Sequence, residues 1–227
     1  MPVLRENLVI DSFLAVDGRA TRPDLHRQRF ERSVRELLGA ELAEQVPSTF
    51  VDMAGALQSG RRFPRLEARA DGITWIDRPA PEQGLVLHVT DTVEDARRHP
   101  SHKGADLDWL QAQASGAHLL LVRGELVVET HTAAVMIVRD GQGFVPDQPR
   151  ICSTTEDWFA DSIAPVVRVD MTRDDLAQAS RQGQAFALNA LHGPRALQLG
   201  EAPVPQHALD QAGAWRQQWL EEATPLT

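Results

Sequence analysis

The sequence predicts an α+β fold with mixed sheets, and three observations carry that expectation. Short apolar runs of strand length recur along the 227 residues, most of them closed by turns rich in Gly, Asp or Pro. Amphipathic stretches lie among them, at "PDLHRQRFERSVRELLG", "TTEDWFADSI", "TRDDLAQAS" and "QHALDQAGAWRQQWLEEA". The two element types do not alternate as regular βαβ units, which favours mixed sheets with flanking helices over an all-parallel sheet.

The segment "ENLVIDSFLAVDGRAT" reads as a strand pair turning at Asp17-Gly18, a tight-turn signal. Thr21 is placed to cap the helix that follows, with Pro23 and Asp24 in its first turn. Leu25, Phe30, Val34 and Leu37 fall at helical spacing, and Gly39 stops the run. Residues 40–58 read as helical. Residues 59–70, with Arg61, Arg62, Arg65 and Arg69, read as strand or loop, and those arginines as solvated. "GITWIDRPAP" and "GLVLHVTDT" are strands. After "RRHPSHKGAD" a short helix is expected from about Ala105 to Ala114. "AHLLLVRGELVVETHTAAVMIVRDGQGFVP" reads as three strands with turns at Arg123-Gly124 and Asp140-Gly141. "VVRVDM" and "QAFALNAL" are further strands, and Thr172 is placed to cap "TRDDLAQAS". A boundary drawn near residue 95 gives a small N-terminal α/β domain, 1–95, and a larger domain, 96–227.

Composition excludes several classes. The net charge is -9, and the arginines are scattered among more numerous acids rather than gathered on a basic face, so no nucleic-acid partner is expected. No apolar run approaches the ~20 residues of a membrane span. The N-terminal residues "MPVLRENLVID" carry no signal-peptide pattern. The single cysteine, Cys152, excludes an internal disulfide and fits a reducing compartment. A cytoplasmic protein is expected, without membrane or metal.

One residue stands apart. Of the 23 strongly basic side chains only Lys103 is lysine. A lysine amine can lose its proton and attack a carbonyl to give a Schiff base, which arginine cannot do. Taken on its own, a single lysine can equally be a chance survivor on a surface loop.

About 26 residues beyond Lys103, "GELVVETHTAAVMIVRDG" places Glu129 at a strand end. This segment resembles the class IV aminotransferase family, the fold-type IV pyridoxal-phosphate enzymes. Their pattern has a lysine opening a helix, an apolar strand, a Gly turn, "V-x-E-x-T-x-A-N" and a second apolar strand. "VVETHTAAVMIV" fits it, with Ala134 where Asn is common. "VDGRATRPDLHRQRFERSV" resembles the family's "dG…l..H..Rl..S" segment. "LNALHGPRAL" resembles its late "NSLxGxxPV" segment, in the form seen in aminodeoxychorismate lyases. Together the segments cover residues 8 to 199 in the family's order.

The resemblance implies a two-domain fold-type IV architecture, pyridoxal 5'-phosphate as cofactor and a homodimer. It implies that Lys103 carries the cofactor and acts as acid/base at the substrate carbon, with its pKa lowered by burial. Glu129 would face the pyridine nitrogen. Arg29 would clamp the phosphate, with Thr154 and Thr155 at a helix N-terminus and Asn189-Ala190 closing the other side. Arg195 is a candidate for a substrate carboxylate. Without the motif Glu129 reads as a solvated acid, Arg29 as a surface arginine like Arg27 and Arg32, and Thr154 as an N-cap. His26 reads as a packing histidine, and His102 has a smaller claim to a role.

The sequence departs from the pattern in places. "RICSTTEDW" lacks the usual glycine and carries Glu156 where arginine is common, and the chain contains no tyrosine. The expected substrate is a small amino-acid-like or carboxylate-bearing molecule. Three readings stay open: a lyase of the aminodeoxychorismate type, which the late segment favours, an aminotransferase for a small or specialised amino acid, and a degenerate homologue without catalysis.

Overall fold

A computed structural model describes residues 8–82 and 84–226. It forms two compact units that are not contiguous in sequence. The first comprises Met1–Pro81, Arg98–Leu107 and Ala223–Thr227, the second Glu82–Arg97 and Asp108–Glu222. A single cut near residue 95 therefore divides the chain differently from its contacts, because the stretch around Lys103 returns to the first unit.

In chain order the first unit holds β1 (Val9–Ser12), β2 (Ala15–Val16), β3 (Arg19–Ala20), α1 (Pro23–Leu38), α2 (Ala40–Ala43), α3 (Val46–Ala56), β4 (Arg61–Arg62), β5 (Arg65–Arg69) and β6 (Gly72–Ile76). β1 pairs antiparallel with β5, and β5 with β6. Asp17 and Gly18 both take positive φ, 48° and 72°, which is the primed turn that the Asp-Gly pair favours. α1 starts one residue later than Thr21 suggests, with Arg22 at the N-cap in the left-handed region. Its buried residues are His26, Arg29, Phe30, Ser33 and Val34, spaced i, i+3, i+4, i+7, i+8 as an inward stripe requires. Phe30 and Val34 join Val9, Phe13, Phe50, Met53 and Leu66 in the apolar core. The polar members of the stripe mark where a site forms.

The second unit holds β7 (Val86–Val89), β8 (Asp91–Glu94), α4 (Leu107–Ala114), β9 (Leu119–Arg123), β10 (Leu126–Thr130), β11 (Ala134–Arg139), β12 (Gln142–Pro146), α5 (Thr154–Ser162), β13 (Val166–Val169), α6 (Arg173–Arg181), β14 (Ala185–Asn189), β15 (Gly193–Leu199) and α7 (Gln206–Glu221). β16 (Thr224–Pro225) belongs to the first unit, where it pairs antiparallel with β3. One sheet runs β13-β12-β11-β14-β15-β7 and another β10-β9-β8. The first is parallel at β12–β13 and β15–β7 and antiparallel elsewhere, so the sheets are mixed as expected. The run from residue 117 to 146 forms four strands rather than three. Its extra turn carries no Gly; the Thr130 hydroxyl makes it, accepting from the Ala133 amide at 2.9 Å. β15 was not legible, because its Gly193-Pro194 start reads as a breaker.

The core of this unit joins Leu87, Leu120, Val127, Val135, Ile137, Leu176 and Leu197. Trp215 stands edge-on to Phe159 and Phe186, at 5.0 and 4.7 Å between ring centroids. Thr172 caps α6 in a reciprocal box with Asp175. Among the described residues no helix is long and apolar enough to cross a membrane.

Candidate functional site

The inward stripe of α1 faces β1, and their polar residues meet. Asp11 is fully buried. Its Oδ1 accepts from the Ser12 amide at 2.7 Å and from Arg29 Nη2 at 2.8 Å, and His26 Nδ1 lies 2.8 Å away. Its Oδ2 accepts from Arg29 Nε at 2.8 Å. Burial alone would raise this carboxyl, but Arg29 and His26 outweigh it and hold the group well below the usual carboxylate range. Burial pushes His26 down despite Asp11.

Lys103 belongs to this cluster. It does not open a helix, as the sequence suggested; it sits in a turn, and α4 begins at Leu107. Its carbonyl accepts from the Ile10 amide at 2.8 Å, which docks the turn on β1. Gly104 makes that approach possible. It has φ +104°, and a Cβ there would stand 2.8 Å from Ile10 N and 2.9 Å from Leu8 O, which no side chain tolerates. Asp106 closes the loop by accepting from the amides of Arg98 and His99, at 3.1 and 2.8 Å. The Lys103 ammonium donates to Ser12 Oγ at 3.2 Å. Its pKa is lowered to about 8, first by burial, with Arg29, Arg78 and Arg65 adding repulsion and Asp11 opposing. His102 points elsewhere, its Nε2 3.3 Å from Glu36. Ser12 and Asp11 carried no sequence signal, since both look like ordinary strand residues.

In the second unit Glu129 lies on β10 at a bulge. Val127 pairs with Val122 while Glu129 pairs with Leu121, so β10 carries one extra residue there. A bulge re-aims the side chains around it, and Val127 and Val128 enter two different apolar clusters. Glu129 is 4% exposed. Its Oε1 accepts from Arg97 Nη1 at 2.8 Å and from the Ile151 amide at 3.3 Å. Its Oε2 takes no protein donor among the described residues. Arg97 is itself locked by Asp95, Nε to Oδ1 at 2.7 Å and Nη2 to Oδ2 at 3.1 Å, and Arg123 adds a further bond to Asp95 at 3.2 Å. Burial raises the Glu129 pKa against the opposing pull of Arg97. Sequence reading missed Asp95 and Arg97; nothing in "VEDARRHP" separates them from surface charges.

At the start of α5 the N-cap is Ser153, not Thr154. Thr154 and Thr155 occupy the first turn and are buried. Glu156 does not stand there as a bare acid. Arg150 grips it with two nitrogens, at 2.9 and 2.8 Å, and that pair removes the unfavourable charge expected from sequence. Asn189 Oδ1 accepts from the amides of Leu191 and His192, at 3.2 and 2.8 Å, and its Nδ2 donates to Thr132 O at 3.2 Å. The Asn189 side chain thus shapes its own turn, of which Ala190 is part. Arg195 is buried on β15, its Nε without a hydrogen-bond partner.

No protein-family model matches the sequence, and no curated protein matches it. Solved structures do. A fold IV-transaminase from Curtobacterium pusillum superposes with a TM-score of 0.69 at 19% identity, covering 95% of this chain and 90% of its own. A branched-chain amino acid aminotransferase from Thermobaculum terrenum gives 0.67 at 17% identity, covering 100% and 92%. A protein from Haemophilus somnus 129PT described as a 4-amino-4-deoxychorismate lyase gives 0.63 at 16% identity, covering 82% and 97%. At such identities the likeness is one of architecture, and the chain has the fold of the fold-type IV transaminases.

Proposed function

We propose that the chain is a pyridoxal-phosphate-dependent enzyme, and that its reaction is of the aminodeoxychorismate lyase type. The observation that carries the reading is Lys103. The only lysine of the sequence is held on β1 with its pKa brought down to about 8, as a nucleophilic amine requires.

Each unit, taken by itself, offers groups whose chemistry suits the cofactor. Glu129 is a buried carboxylate with Oε2 open to a donor, the character needed beside a pyridine nitrogen. The first turn of α5 offers amides and the Thr155 hydroxyl to a phosphate, and the Arg150–Glu156 pair leaves that end without a naked acid. Arg29, fixed in orientation by Asp11, adds positive charge. When bound, the cofactor supplies an electron sink for charge developing at the substrate carbon.

The chain's own residues do the rest. Lys103 removes and returns the proton at that carbon, with Ser12 Oγ fixing the direction of its amine. Arg97, locked by Asp95, favours the ionised form of Glu129 against the burial that raises its pKa. Asn189 sets the backbone of the turn around Ala190, and Arg195 waits for an acidic group. In the lyase reading the substrate loses pyruvate and its ring becomes p-aminobenzoate; "LNALHGPRAL" supports this. Aminotransfer is the second reading, supported by the transaminases that share the fold. A cytoplasmic homodimer acting on a small carboxylate-bearing amine completes the proposal.

Borohydride reduction tests it. Protein incubated with pyridoxal phosphate and reduced should carry the label on the peptide containing Lys103, the sole side-chain amine available. A colourless protein with no label there would leave the degenerate homologue as the reading.

A further inference from the structure

The cation at the start of α5 is spent on an acid of the helix itself. Arg150 and Glu156 are both buried. Arg150 Nη2 donates to Glu156 Oε1 at 2.9 Å, Nη1 stands 2.8 Å from Oε2, and Nε donates to the Pro146 carbonyl at 3.2 Å. Burial works against the Arg150 charge, but Glu156 and then Glu129 outweigh it and raise its pKa. The pair that spares the helix a bare acid therefore also uses up its arginine.

The arrangement is fixed. Ser153 caps α5 through its hydroxyl and its carbonyl, which accept from the Glu156 amide at 3.3 and 3.1 Å, so one amide of the first turn is already taken. The Ile151 amide, next to Arg150, is tied to Glu129 at 3.3 Å. Swinging Glu156 aside would strand a buried carboxylate, which is costly. Asp157 adds a second acid to the first turn, on its exposed side, where it opposes the pull of the helix dipole on an anion. In the first unit Arg29 gives Nε and Nη2 to Asp11 in the same manner.

We propose that Glu156 determines specificity for the cofactor's tail: it denies Arg150 to a doubly charged phosphate, so that the tail adds little to the hold on the cofactor. This deepens the reading above and rests on it. A phosphate ester carries about −1.5 to −2 charges at neutral pH. At α5 it meets amides and hydroxyls, but a neutral pair in place of a cation. Retention then falls to the bond that the Lys103 amine forms with the cofactor's aldehyde, with loss of water. Elimination restores that bond at every turnover, whereas aminotransfer leaves it broken for half of each cycle. The start of α5 thus favours the lyase on grounds independent of "LNALHGPRAL".

Equilibrium dialysis of the protein with pyridoxamine 5'-phosphate and with pyridoxamine reads the tail alone, because neither amine can bond to Lys103. The two should bind within about tenfold of one another. A phosphate held by several charge-assisted hydrogen bonds would separate them by about a hundredfold or more. Glu156→Gln keeps the shape, removes the charge and leaves Arg150 to the phosphate, so the preference for the phosphate form should rise at least about tenfold. Asp157→Asn leaves the buried pair intact and should raise it about two- to threefold, a readout that survives any misfolding of Glu156→Gln. A preference above about tenfold in the unsubstituted protein overturns the proposal, as does an unchanged preference in Glu156→Gln, or in Asp157→Asn where that variant alone folds. Borohydride labelling of Lys103 by pyridoxal phosphate and by pyridoxal is run beside the dialysis, and both aldehydes should label it at comparable rates. Labelling by pyridoxal phosphate alone removes this inference and leaves the cofactor reading standing. Labelling by neither removes the cofactor reading.

Discussion

Arg29 meets Asp11 edge-on, Nε to Oδ2 and Nη2 to Oδ1, both at 2.8 Å. The pair is buried and shares its carboxylate with His26, so neither partner can be withdrawn cheaply. Asp11→Asn would leave Arg29 as a buried cation with weakened pairing, at a cost of about 3–5 kcal/mol. Thermal unfolding should show the loss. Asp11 also supports the charged form of Lys103, so the same variant should shift the Lys103 titration further down. An unchanged unfolding midpoint would mean that the pair contributes little to the fold.

Lys103 sets a pH window. Folding lowers its pKa from 10.5 to about 8, so the charged amine burdens the folded state below pH 8. That burden lifts as pH rises from about 8 to 10.5, because there the unfolded chain binds the proton and the folded chain does not. The cofactor-free protein should therefore gain stability across this interval relative to Lys103→Met. The rate of cofactor capture should rise with a midpoint near pH 8. A midpoint near 10.5 would show an ordinary solvated lysine.

Glu129→Gln keeps the shape and the acceptor for Arg97 but removes the charge. Turnover should fall by roughly 3 kcal/mol of transition-state stabilisation or more, about a hundredfold in rate, while borohydride labelling of Lys103 persists. Parent-like turnover would make Glu129 a structural acid.

Lyase and aminotransferase separate by what they consume. The lyase should convert aminodeoxychorismate to p-aminobenzoate and pyruvate through many turnovers with no keto acid added. Common amino acids should leave the visible absorbance of the loaded protein unchanged. Rapid bleaching by glutamate, alanine or a branched amino acid, with no p-aminobenzoate formed, would decide for aminotransfer.

What could be read in advance followed from periodicity and turn chemistry. The Asp17-Gly18 turn, the Thr172 cap and the Phe30 and Val34 positions of α1 are local, and the sequence states them outright; Leu25 and Leu37, read into the same stripe, are only half-buried, and His26, Arg29 and Ser33 take the inward places. Lys103 and Glu129 were legible because one is unique and the other sits in a motif. Their companions were not. Ser12, Asp11, Asp95 and Arg97 are polar residues whose meaning comes from burial, and burial comes from strands and turns distant in sequence. Arg150 is the sharpest case. Glu156 stands where the family pattern has arginine, and six residues earlier the chain supplies the cation that pairs with it.

The docking of the Lys103 turn on β1 bears on how such a gene can be cut. The bed of the lysine, Asp11, Ser12, His26 and Arg29, is encoded before residue 30, and Gly104 fits the turn to the β1 backbone. A gene split near codon 95, or a duplication of its 3′ half, would carry off Lys103 without the residues that pack around it. In this chain the setting of Lys103 is thus written in both halves of the gene, although one half contains the lysine.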